Sequence, residues 1–159
     1  MGSKPYAAGF RLDGPVQSGD VSSMLAAAVN IAKGDMLVDD GSGFLTNAGI
    51  TAFVDGAMYI AIEDCSNSGG AAGDLSVLCI PINLSKNSWW ARNESATVAA
   101  ATDRGEVVDL ESEDGIDVTD VTLVAYGFMI EEIDISAAAV AACTGGYVRG
   151  RFIVVGETT

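Results

Sequence analysis

Apolar and polar residues alternate along much of the chain, and glycine clusters cut the alternation into short pieces. The clearest run covers residues 57–64. There Ala57, Tyr59, Ala61 and Glu63 interleave with Met58, Ile60, Ile62 and Asp64, a period of two that belongs to a strand. Residues 24–32 are rich in alanine, which favours helix, yet the run is short and Lys33-Gly34-Asp35 stops it. A strand fits better, because MLVDD and GFLTNA then follow as a hairpin. Its turn is Asp39-Asp40-Gly41-Ser42-Gly43, whose glycines supply positive φ.

Residues 66–74 form a flexible turn. LSVLCIPI, residues 75–82, is apolar on both faces and is predicted to be a central strand, with Pro81 at its end or at a bulge. Residues 83–95 are irregular and hold both tryptophans. Several short strands then follow, divided by Gly105, Gly115 and Gly127. Ser136 caps a brief predicted helix over 137–143, which Gly145-Gly146 ends. Residues 147–157 close the chain as a strand, with Gly150 as a kink or bulge.

Gly2, Pro5, Gly9, Gly14, Pro15 and Gly19 punctuate residues 1–20, which read as an arm, frayed or docked elsewhere. The predicted fold is all-β: a compact β-barrel or sandwich over 21–159, an extended N-terminal arm over 1–20, and at most one short helix. Lys33-Gly34-Asp35-Met36-Leu37-Val38 echoes Arg104-Gly105-Glu106-Val107-Val108-Asp109-Leu110. The echo is read as two similar strand starts, not as a duplication.

With 49% hydrophobic and 19% charged residues in 159, the chain supports one ordered core and is not disordered. No apolar run reaches the roughly 20 residues of a membrane helix. The N-terminal stretch lacks the apolar core of a secretory signal, so Sec export is not expected. The net charge is −14, from 22 acids and 8 bases. That balance speaks against nucleic acid and anionic membranes as partners. The chain has no histidine, which removes Ser-His-Asp and Cys-His catalysis. Cys65, Cys79 and Cys143 stand far apart, consistent with a reducing compartment and no zinc knuckle. No GxSxG, Walker A or dinucleotide fingerprint occurs. The carboxylate pairs Asp39-Asp40 and Glu63-Asp64 are explained by a turn and a strand end. The expectation is therefore a protein that is not an enzyme and needs no cofactor.

Residues 103–120 hold eight acids and one base. Asp109, Glu111 and Glu113 alternate, which sets them on one face as a weak cation-site candidate. The glycine of a calcium loop falls one place late, however, so a solvated, outward-facing acidic hairpin is the simpler reading. Trp89 and Trp90 must point to opposite sides of a strand, one buried and one available. With Arg92 they suggest a subunit or partner interface, since Trp and Arg concentrate in hot spots. Tyr6, Phe10 and Arg11 are the arm's best anchors.

The stretches NIAKGDMLVDDGSGFLTNAG and DGAMYIAIEDCSNSGGAAGDLSVLCIPI resemble the capsid decoration (cement, head-stabilising) proteins of tailed bacteriophages. The matching residues are Gly34, Asp35, Gly43, Gly56, Ile60, Ala61, Val77 and Pro81, and ATDRGEVVDLESEDGIDV is similar to a second block. The resemblance covers about residues 25–155. It implies a β-barrel or sandwich, usually a homotrimer, on the outer surface of a virion at three-fold or quasi-three-fold points. The partner would be the major capsid protein, met after synthesis in the host cytoplasm. Such a clamp stabilises the expanded shell against internal DNA pressure by binding that state alone, and a trimer adds avidity. The double tryptophan and the acidic 103–120 stretch depart from the family pattern. A receptor- or carbohydrate-binding module is the alternative.

Overall fold

Short strands joined by turns build most of the described chain, as the period of two requires, with two 3-10 turns at Ser18–Asp20 and Ala101–Asp103. The structure is a computed structural model that describes residues 9–49, 58–82, 87–121, 126–134 and 145–154. In order the strands are β1 (Arg11–Leu12), β2 (Ser22–Leu25), β3 (Asn30–Ile31), β4 (Met36–Asp39), β5 (Leu45–Asn47), β6 (Met58–Ala61) and β7 (Cys65–Ser66). They continue with β8 (Ser76–Pro81), β9 (Trp89–Arg92), β10 (Val107–Ser112), β11 (Gly115–Val121), β12 (Tyr126–Asp134) and β13 (Tyr147–Val154).

Sheet I has the order β2-β8-β6-β4-β5, and sheet II the order β1-β9-β13-β12-β10-β11. Every pairing within them is antiparallel. The fold is thus an all-β sandwich. Between the sheets lie Met36, Met58, Ile60 and Ile80 from sheet I and Trp89, Val108, Leu110, Ile116, Phe128 and Phe152 from sheet II. A second, smaller core packs Leu37, Leu45, Ala61, Val77 and Cys79 against Ile31 and Cys65 of the two-stranded ribbon β3-β7.

The two sheets repeat one topology. Strands β2, β4, β5, β6 and β8 take the same order in sheet I as β9, β10, β11, β12 and β13 take in sheet II. The hydrogen bonds repeat with it. Ala26 N–H donates to Leu75 O and Ala27 N–H to Leu45 O; likewise Asn93 donates to Gly146 and Glu94 to Ile116. Gly34 donates to Ala61, whose own N–H donates back to Asp35. Gly105 and Ile130 do the same, with Glu106 in the place of Asp35. The echo in the sequence, read there as two strand starts only, marks equivalent points of a repeated unit.

Three further expectations change. The segment read as an arm over residues 1–20 enters the fold from Gly9 onward. Gly9 N–H donates to Asp114 O and Phe10 N–H to Gly34 O, while β1 pairs with β9. Phe10, 2% exposed, sits at 6.0 Å from Phe128 and 5.7 Å from Phe152 between ring centroids. Burial of an aromatic ring outweighs the freedom that the local glycines suggest. Residues 24–32 give two short strands, β2 and β3, in place of one. Finally, β8 is central in its sheet, but Ser76 and Leu78 are exposed, so it is not buried on both faces. Pro81 does end it. Tyr6, the predicted helix over 137–143 and Cys143 lie outside the described residues.

Gly150 faces the register jump between Ile130 and Glu132. A Cβ there would lie 2.2 Å from the Met129 carbonyl oxygen, so only glycine allows the close approach.

Candidate functional site

Alternation along β9 and β13 puts one set of side chains into the core and the other on the outer face of sheet II. Trp89 and Ala91 point inward and are buried. Trp90 and Arg92 point outward, opposite Arg149 and Tyr147 of β13, and Arg11 of β1 lies opposite Trp90. Arg151 continues the row two residues beyond Arg149. Four of the chain's eight bases therefore share one face with Trp90 and Tyr147, in a protein of net charge −14.

Carboxylates fix these groups. The Trp90 ring stacks on Tyr147 with centroids 5.9 Å apart and planes 19° from parallel. Its Nε1–H donates to Asp13 Oδ1 at 3.2 Å. Asp13 Oδ2 accepts from Arg149 at 2.9 Å, and Arg149 also meets Glu132 at 3.0 Å. Arg151 pairs with Glu131 at 2.9 Å, and Ser88 donates to the same carboxylate at 3.0 Å. At the other end Arg92 pairs with Glu94 and, at 3.4 Å, with Asp114. The Ser112 hydroxyl lies within hydrogen-bond reach of both carboxylates, with one proton to share between them. Burial raises the Glu94 carboxyl above its ordinary range; hydrogen bonds from Ser112 and Arg92 oppose this, and the nearby Asp114 adds to it. Such bracing holds long side chains in one geometry before any partner arrives, which lowers the entropic cost of binding.

Of the residues the sequence marked as an interface, Arg11, Trp90 and Arg92 meet on this face. Phe10 and Trp89 do not: both are core, at 2% and 1% exposure. Tyr147, Arg149 and Arg151 were missed, although they alternate along β13 in a run read as a strand.

The acidic segment forms the β10–β11 hairpin. One face is buried through Val108, Leu110, Ile116 and Val118; Asp109 and Glu111 lie on the other. β10 ends at Ser112, so Glu113 leaves the alternation that would align it with them. Its main-chain carbonyl instead accepts the Met36 N–H, which ties the hairpin tip to sheet I. Among the described residues no three His, Cys, Asp or Glu side chains gather in a way that could hold a metal ion. At the same joint sits Asp35, 7% exposed. Burial, with the neighbouring Glu113, Asp114 and Asp64 charges, pushes its carboxyl up to about 6 against the pull of the Ala32 amide.

Compared with protein-family models, curated proteins and solved structures, the chain matches none.

Proposed function

We propose that the protein is a structural virion component that binds the outside of an expanded phage capsid and stabilises it, as a homotrimer at three-fold or quasi-three-fold positions. The outer face of sheet II carries this reading. It gathers Trp90 and four arginines on one side of a sheet, with Trp90 stacked on the buried Tyr147, and ion pairs brace Arg92, Arg149 and Arg151. A sheet face of this composition suits a large protein surface, where Trp and Arg supply much of the binding energy. The family-like residues support it further: Gly34, Asp35, Ile60, Ala61, Val77 and Pro81 form the frame of sheet I.

The test is co-sedimentation of the purified protein with expanded capsids that lack it. Saturable binding is expected, with Trp90→Ala and Arg149→Glu each weakening it tenfold or more, about 1.4 kcal/mol. Light scattering should give three times 16.3 kDa. No binding to expanded shells, or equal binding by both variants, overturns the reading.

A further inference from the structure

The repeat places two strands in equivalent positions at the rims of their sheets, and among the described residues only one of them is covered. In sheet II the outer edge of β9 is closed by the chain's own β1, through Arg11 opposite Trp90 and an Asp13 N–H to Ser88 O hydrogen bond. In sheet I the corresponding strand is β2, with Ser23 in the place of Trp90. β2 ends its sheet, and no described strand lies beyond it. Ala26 N–H donates to Leu75 O on the β8 side. By antiparallel alternation the main-chain groups of Ser23 and Leu25 then face away from β8, into the open edge.

Apolar surface gathers at the same place. Of six large apolar side chains that stand exposed among the described residues, Leu25 belongs to β2, Leu75 immediately precedes β8 and Leu78 lies in β8. Soluble proteins blunt an open edge with lysine, proline or a bulge. β2 has none of these: its sequence is Ser-Ser-Met-Leu in an unbroken register with β8.

We propose that the free edge of β2 is a docking site for an extended segment of another protein, one that carries basic and apolar side chains in alternation. Such a segment adds a sixth strand to sheet I, as β1 does to sheet II. The chain cannot supply it from its own residues 9–13: Arg11, Leu12 and Asp13 are committed to β9 and its flank, and Gly9 and Phe10 bond Asp114 and Gly34. Charge selects its chemistry. Residues 16–32 and 74–82, which hold β2, β8 and their flanks, contain Asp20 and Asp74 and no lysine or arginine. Edge-to-edge pairing with a second copy would bring two such acidic sets together with no base between them. A basic strand meets them favourably, while its apolar residues cover Leu25 and Leu78. This surface is distinct from the outer face of sheet II and stands whether or not that face binds a capsid.

The test uses the full chain, labelled with nitrogen-15, and the peptide acetyl-Lys-Val-Arg-Val-Lys-Val-amide. Saturable amide shifts are expected at Ser22–Leu25 and in the adjoining β8. Two changes should weaken binding tenfold or more: Ser23→Pro, which removes an outward N–H without touching the β8 ladder, and N-methylation of alternate peptide residues, which leaves the protein unaltered. The peptide with glutamate in place of each basic residue should not bind. Shifts confined to other strands, no saturation, or equal binding by the N-methylated or the glutamate peptide would each overturn the proposal. So would a sedimenting dimer that Ser23→Pro dissociates, because it would identify the occupant as a second copy.

Discussion

Gly34 and Gly105 hold the same place in the two sheets. Each lies at positive φ, 97° and 85°, and each donates its N–H to an equivalent strand of its own sheet, to Ala61 of β6 and Ile130 of β12. Their surroundings differ. A Cβ on Gly34 would lie 3.1 Å from Gly9 Cα, whereas one on Gly105 would meet nothing within 4 Å. Gly105→Ala should therefore cost only the backbone strain, about 1–3 kcal/mol. Gly34→Ala should cost more, since it also pushes against the Gly9–Phe10 main chain. Urea titrations of the two variants check this, and the order of the midpoints decides it.

Phe10 is a core residue, so Phe10→Ala should cost about 3–5 kcal/mol. A variant that keeps wild-type stability would mean that the Phe128–Phe152 cluster closes without it.

Asp35 makes stability depend on pH. Its folded value, about 6, lies above the ordinary 3.8, so between these limits the folded chain binds more protons than the unfolded one. Relative to its effect below about pH 4, Asp35 therefore lowers stability progressively as pH rises through 6, by up to about 3 kcal/mol in all. Asp35→Asn should raise the thermal midpoint at pH 8 and leave it nearly unchanged at pH 4. The difference between variant and wild type isolates this group from the general relief of acidic repulsion. An equal shift at both pH values would refute the assignment.

Burial pushes the Cys79 thiol up to about 11, and burial followed by the Glu63 charge raises Cys65. Both thiols are free and buried. In Cys143→Ser protein at pH 8, both should resist Ellman's reagent in native buffer and react at once in urea. Labelling of Cys79 at the rate of a free thiol would contradict its place in the core.

The sequence was readable where neighbours decide the outcome. Adjacent residues of a strand face opposite ways, so Trp89 and Trp90 had to part, and they do. The Asp39–Gly43 turn was readable because its carboxylates bond amides two and four residues on: Asp39 those of Gly41 and Gly43, Asp40 those of Ser42 and Phe44. Phe10 was not readable, because the rings that hold it come from β12 and β13 at the far end of the chain. The repeat was hidden for another reason. Equivalent positions carry Ser22 and Trp89, Ser23 and Trp90, or Cys79 and Gly150; backbone roles persist while side chains differ. The outer face of sheet II was half visible: tryptophan beside arginine drew notice, but the Arg149–Asp13 pair joins the last strand to the first.

The position of β1 sets the order in which the molecule can be finished on the ribosome. Sheet I is fully encoded once Pro81 has been made, and chains tend to fold from the N-terminus as they emerge. β1 is the first of the described strands to be made, yet its partner β9 is complete only at Arg92, and among the described residues the rings that pack on Phe10, those of Phe128 and Phe152, follow later still. For most of translation the earliest strand is a loose end with an aromatic side chain uncovered. Strand β13, the last of the described strands, joins β9 to β12 and supplies Phe152. A chain halted after sheet I would thus leave the ribosome with its inner apolar face unpartnered, a natural substrate for holdase chaperones.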